Sequence, residues 1–185
     1  MSAITTNTTK NLILDAGVVY VNYGEVDERI LGATEGGNTF TVEREYRDIP
    51  VDGAKGKIKG LKRIITENAI LTVNLKEISK ENLLIALPGA IASDYPDTAT
   101  KTHDSIVSNG DISDSDYLTN VALVATVSGS SDPVVLIIKN ALNDGNLELN
   151  LTDKEEGIIT LQLSAHYDPA NLDIVPYEIR YPVVA

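Results

Sequence analysis

The 185-residue sequence predicts a mainly β fold: an antiparallel β-sandwich or barrel-like domain with one flanking α-helix and a long β-hairpin. Thr, Val and Ile number 16, 16 and 19, more than a quarter of the chain, and side chains branched at Cβ suit a pleated strand better than a helix. Period-two alternation of apolar and polar residues runs through Asn38–Ile49 and again through Asn68–Ile78. Helical patterning, by contrast, occurs convincingly in one short stretch.

Taken in order, residues 1–12 are Thr- and Asn-rich and read as a flexible N-terminal arm. They lack the basic region and apolar run of a secretory signal. Val18–Tyr23 is an apolar run between Gly17 and Gly24 and reads as the first strand. Residues 38–78 form one long hairpin. On its first strand Phe40, Val42 and Tyr46 share a face, and Thr39, Thr41, Glu43 and Glu45 share the other. On the returning strand Leu71, Val73 and Leu75 alternate with Thr72, Asn74 and Lys76. Residues 50–60 contain Gly53, Gly56, Gly60, Lys55, Lys57 and Lys59, which predicts a flexible, basic tip.

A helix is expected over 79–88. Ser79 suits the N-cap, Glu81 favours the positive end of the helix dipole, and Pro88-Gly89 stops it. Its run Leu83–Leu87 is too apolar to face water and should pack on a sheet. Residues 90–116 read as a long polar, acidic loop, beyond the usual length of a structureless connection. Strands are then expected at Tyr117–Ser128, Val134–Asn140, Leu147–Leu151, Ile158–Tyr167 and Pro176–Val184, with turns at Ser128-Gly129-Ser130, Asn143-Asp144-Gly145 and Lys154–Gly157. No repeat or linker divides the chain, so residues 1–185 read as a single domain.

Net charge is −12, from 15 basic and 27 acidic residues. That argues against general nucleic-acid binding, which needs cations to displace phosphate counterions. The charge is uneven. Between Ser93 and Asp132 seven Asp stand against Lys101 alone, whereas between Arg44 and Arg63 seven basic residues stand against three acidic ones. There is no Cys, which removes disulfides, thiolate metal sites and a cysteine nucleophile. The apolar runs are too short to span a bilayer, so no membrane insertion is expected.

Motifs for chemistry are few. Asp111-Ile-Ser-Asp-Ser-Asp116 has the paired acids of a calcium loop, but its sixth position is Asp and its twelfth is Ala122, so the helix–loop–helix pattern fails. Residues 53–60 carry glycines and lysines without the spacing of a phosphate loop. The two His, 103 and 166, belong to no recognisable catalytic signature. No catalytic, cofactor-binding or metal-binding residue is assigned.

Three stretches carry a resemblance: Val19-Tyr-Val-Asn-Tyr-Gly24, Leu31-Gly-Ala-Thr-Glu-Gly-Gly-Asn-Thr-Phe-Thr-Val-Glu-Arg-Glu-Tyr-Arg-Asp-Ile49, and Val51-Asp-Gly-Ala-Lys-Gly-Lys-Ile-Lys-Gly-Leu61. Together with Glu67–Leu75 and Leu87-Pro-Gly-Ala90 they resemble the major tail tube proteins of long-tailed bacteriophages and prophages. The resemblance covers roughly residues 18–90, and the second half shares only length and strand-rich character. It implies a non-enzymatic structural virion protein, assembled in the host bacterial cytoplasm, whose hexameric rings stack into a tube for DNA ejection. Its implied partners are further copies of itself, the tape measure protein, the tail terminator and distal tail or baseplate proteins, with DNA only as passing cargo. On that basis Thr39, Thr41, Glu43, Glu45, Thr72 and Asn74 are expected to face the lumen, and Lys55, Lys57 and Lys59 to make inter-subunit contacts. The alternative from another class is a carbohydrate- or receptor-binding β-sandwich using the acidic loop as a calcium-assisted site; a small hydrolase built on His166 or His103 is a third.

Overall fold

The computed structural model describes residues 4–5, 7–96 and 99–184. Residues 1–3 and 6 of the expected N-terminal arm and Asp97 of the acidic segment lie outside them. The strands are β1 (Val18–Val21), β2 (Arg29–Ile30), β3 (Thr34–Asp48) and β4 (Lys62–Leu75), then, after helix α1 (Lys80–Ala86), β5 (Ala90–Tyr95) and β6 (His103–Ser108). They continue with β7 (Leu118–Ala125), β8 (Val134–Asn143), β9 (Ile159–Ser164) and β10 (Tyr177–Arg180). The fold is mainly β, with large antiparallel sheets and one α-helix.

One sheet runs β2-β1-β7-β8, with β10 on the other side of β8, and a second runs β9-β4-β3. The two share β8. Its residues 134–141 pair with β7 and Val135–Ile138 with β10, and its last residues, Leu142 and Asn143, pair with Ser164 and Leu163 of β9. One apolar cluster joins the sheets: Val19 and Val121 from the first meet Leu71, Val73, Leu161 and Leu163 from the second, all essentially inaccessible. Burying each such side chain contributes about 1.5–3 kcal/mol, so this shared interior is the main source of stability.

Helix α1 is held at both ends by buried amides. Ser79 Oγ accepts from Asn82 N at 3.2 Å as the N-cap. Asn82 Nδ2 donates to Leu31 O and Glu77 O, both at 2.9 Å, and its Oδ1 accepts from Arg29 Nη1 at 3.2 Å. At the other end Asn143 Nδ2 donates to Ala86 O at 2.9 Å and Gly145 O at 3.0 Å, while its Oδ1 accepts from Gln162 N at 2.8 Å. These side chains satisfy backbone groups that water cannot reach. Gly89 then turns the chain with φ +73°, and a Cβ there would lie 2.1 Å from Asp111 O.

Three expectations are corrected. Residues 90–116 are not a loop throughout: Ala90–Tyr95 and His103–Ser108 form an antiparallel hairpin, and Asp114–Asp116 a 3-10 turn. Ser, Asp and Thr in this stretch conceal a register that packing on α1 supports. Leu147–Leu151 has a strand-like alternation but forms only a single bridge, Asn150 to Ile158; Leu147 packs on the core while Leu151 is exposed. Tyr46 was expected behind the hairpin with Phe40 and Val42. A bulge that leaves Ile65 unmatched between Glu45–Thr66 and Tyr46–Ile64 sends the ribbon beyond the core, and Tyr46 is half exposed. β2, unanticipated, is a two-residue edge on β1.

Candidate functional site

The long hairpin divides into a proximal part embedded in the second sheet and a distal arm. In the proximal part, register places Thr39 opposite Thr72, which in turn pairs with Gln162 of β9. Thr41, Ile70 and Ser164 form the next row, and Asn74 sits opposite Thr160. Because Leu71, Val73, Leu75, Leu161 and Leu163 point into the core, these intervening residues all lie on the outer face. Thr39, Thr41, Glu43 and Glu45 are exposed, Thr72 and Asn74 half-buried. All six residues singled out from the sequence therefore share one surface. β9 adds Thr160, Gln162 and Ser164, which went unselected because alternation within one strand does not reveal which strand will lie beside it.

The chemistry of this face is that of hydroxyls, amides and carboxylates. Thr160 Oγ1 donates to Asn74 Oδ1 at 2.9 Å, and Thr66 Oγ1 to Glu45 Oε2 at 3.0 Å. At one end Lys76 lies 2.6 Å from Glu35 and 3.2 Å from Glu156, and both carboxylates hold its ammonium pKa above the ordinary value. A groove lined by Asn146, Glu148, Glu155, Glu156 and Gln162 continues the acidic, polar surface. β3 ends the sheet order, while on the far side of β9 Leu163 and Ser164 pair with β8 and Gln162 is held through its N by Asn143 Oδ1 and through its O by Asp144 N. The β3 margin of the three-stranded face thus carries backbone groups open to another strand, and β9 does so only at its start, before Gln162.

At the base of the arm, Arg44 Nε donates to Glu67 Oε1 at 2.7 Å and Arg44 Nη2 to Tyr177 Oη at 2.8 Å. The Tyr177 hydroxyl also donates to Glu67. The phenol and the guanidinium hold the Glu67 carboxyl below its ordinary pKa, while the Glu67 charge and burial raise that of Tyr177. This cluster ties β3 and β4 to β10 of the other sheet.

Beyond it, residues 44–47 and 62–65 are exposed on both faces. The tip is closed by turns, with Ala54 N donating to Val51 O at 3.2 Å and Leu61 N to Ile58 O at 3.2 Å. Lys57 lies 2.9 Å from Asp48, and Lys62 stands over the Tyr46 ring at 4.3 Å. Lys55 and Lys59 have no acidic partner among the described residues. Of the three lysines singled out, the structure therefore engages one and leaves two directed to solvent.

The acidic segment is partly neutralised. Lys101 lies 2.8 Å from Asp94 and 2.7 Å from Asp104, which hold its ammonium pKa high, and Lys80 lies 3.6 Å from Asp104. Asp116 Oδ2 accepts from Ser113 N at 2.7 Å and keeps its charge by doing so. Among the described residues no group of three or more His, Asp or Glu is arranged to hold a metal ion. His166 Nδ1 lies 3.2 Å from Asn140 O and 3.1 Å from Ser164 O, so it carries the proton and donates to backbone. His103 Nδ1 meets the Thr102 hydroxyl at 2.8 Å. Neither ring contacts a carboxylate among the described residues, so the orienting partner of a catalytic His is missing there.

No known family profile matches the chain, and no curated protein matches it.

Proposed function

We propose that this chain is a structural self-assembly protein: the major tail tube subunit of a long-tailed phage or prophage, forming hexameric rings that stack into a conduit for DNA. The observation that carries the reading is the β3-β4-β9 surface, polar outside, apolar behind, and open along β3 and at the start of β9. A sheet of this kind closes into an aqueous channel when copies pair margin to margin, which removes the exposed edges. Thr39, Thr41, Glu43, Glu45, Thr72 and Asn74 then line the lumen. Hydroxyls and amides solvate the channel, and Glu43 and Glu45 repel DNA phosphates, so the duplex slides rather than sticks. Lys55, Lys57 and Lys59 sit on the arm; Lys55 and Lys59 are available to neighbouring copies, and Lys57 is shared with Asp48. The resemblance of residues 18–90 to tail tube proteins supports the same reading and adds the tape measure, terminator and distal tail proteins as partners in the virion.

Electron microscopy of the purified protein tests it. Rings or tubes are expected at high concentration, and a protein that stays monomeric at every concentration overturns it. The lumen assignment has its own check: cysteines at Thr41 and Asn74 should react in assembled tubes with a small thiol reagent but not with one too bulky to enter. Equal labelling by the bulky reagent rejects those residues as lining.

A further inference from the structure

Asn109-Gly110 is the single Asn-Gly pair in the chain. Both residues are exposed, in the turn that leaves β6. In such a pair the backbone nitrogen of the glycine can attack the amide carbon of the asparagine side chain and close a five-membered ring. The reacting atoms belong to adjacent residues, and glycine has no side chain to stand in the way. A Cβ added to Gly110 would meet nothing within 4 Å, so no neighbouring group crowds the residue either.

Folding places a partner at each end of that reaction. Gly110 N donates to Ser108 Oγ at 3.1 Å, so the proton that the nitrogen must lose already has an acceptor. Asn109 Oδ1 accepts from Asp111 N at 2.9 Å. That backbone donor is aimed at the oxygen on which negative charge develops when the amide carbon becomes tetrahedral. The Asp111 carboxylate, whose charge would oppose this, accepts instead from Ile112 N at 2.9 Å. The leaving nitrogen, Asn109 Nδ2, makes no hydrogen bond among the described residues. Asn109 N donates to Gly89 O at 2.9 Å, which fixes the backbone at this point.

We infer that Asn109 is a site of spontaneous modification, deamidated through a succinimide whose formation the Ser108 hydroxyl and the Asp111 N–H assist. The bond from Gly110 N to Asn109 Cγ forms, the Cγ–Nδ2 bond breaks, and the amide nitrogen leaves as ammonia with the Gly110 proton. Water then opens the ring. Attack at Cγ gives aspartate, and attack at the main-chain carbonyl of residue 109 gives isoaspartate, with one extra carbon in the backbone. Either product adds a carboxylate to a segment that is already acidic. Isoaspartate also lengthens the main chain beside Gly89, where Asp111 O leaves no room even for a Cβ, so the turn that rests on the end of α1 must shift to accept it. The inference stands independently of the self-assembly reading.

The test keeps the purified full chain at mildly alkaline pH and follows each asparagine by peptide mass spectrometry, with isoaspartate counted by enzymatic methylation. Asn109 should convert at least about tenfold faster than Asn146, which is also exposed but precedes Leu147. It should also convert faster in the folded chain than in urea. Ser108→Ala should slow the folded rate about three- to tenfold, the effect of one hydrogen bond, and leave the rate in urea unchanged. Ser108→Thr, which keeps the hydroxyl, should restore the parent rate. An Asn109 that stays intact, converts no faster folded than unfolded, or ignores Ser108→Ala overturns the inference. Equal slowing by Ser108→Ala in urea assigns the effect to local sequence and overturns it as well.

Discussion

The proximal and distal parts of the β3–β4 hairpin are continuous in backbone and opposite in energetics. From Asn38 to Glu45 the ribbon buries one face, and its partner residues Ala69, Leu71 and Val73 are inaccessible. Beyond the bulge at Ile65 both faces are exposed, yet the side chains stay apolar and basic. The first part therefore holds the monomer together, while the second contributes little to folding and stays exposed. A ribbon with nothing packed on it is marginal alone, so the proximal sheet must anchor the arm.

The sharpest contrast comes from truncating each part. Leu71→Ala opens a cavity in the shared core and should cost about 2–5 kcal/mol in urea unfolding. The control is Ile65→Thr on the exposed bulge, which should change stability by no more than about 0.5 kcal/mol. A cost at Ile65 comparable to that at Leu71 would show that the arm is part of the cooperative unit.

Removing the helix anchor comes next. Asn82→Ala strands the carbonyls of Leu31 and Glu77 without their donor, and should cost about 1–3 kcal/mol. Loss of amide exchange protection should begin at Lys80–Ala86 rather than in the core strands.

The hinge between the two parts is the cluster of Arg44, Glu67 and Tyr177, and pH probes it. The Glu67 pKa lies below its ordinary 4.5 in the folded chain, so the unfolded state binds the proton more readily. Its stabilisation is present in full above that ordinary value and disappears as pH falls through the lower folded value. Glu67→Gln should therefore be destabilised by about 1–2 kcal/mol at pH 7, and the gap from the parent should close in strong acid. A gap that is constant with pH would assign the effect to packing rather than charge.

Smallest for folding is the tip. The triple variant K55E/K57E/K59E should unfold within about 0.5 kcal/mol of the parent while losing polymerisation, because exposed charges hardly stabilise a monomer but a ring repeats each contact. Normal tubes from this variant, seen by microscopy, would remove the lysines from assembly.

Much of the architecture was legible in the residues because local geometry is periodic. Alternation at 39–45 and 71–75 placed two strands and their faces, and Ser79 with Pro88-Gly89 bracketed the helix. Alternation was not sufficient at Leu147–Leu151, where no neighbouring strand completes a ladder, nor was it necessary at Ala90–Tyr95 and His103–Ser108, where pairing overrode a polar composition. Of the candidate surface, the six hairpin residues could be read directly, whereas Thr160, Gln162 and Ser164 could not, since register between distant strands leaves no mark within either. Asn82 and Asn143 looked like ordinary polar residues; only folding surrounds them with unpaired carbonyls.

By itself, then, the sequence determined the β class, the faces of the long hairpin, the helix limits and the opposition of a basic and an acidic segment, all of which depend on neighbours a few residues apart. Only the tertiary structure decided where the hairpin leaves the core, which strand lies beside it, and that the acidic segment folds into a hairpin of its own. Those features depend on contacts between residues far apart in the chain, where the strength of packing, rather than any local preference, selects the outcome.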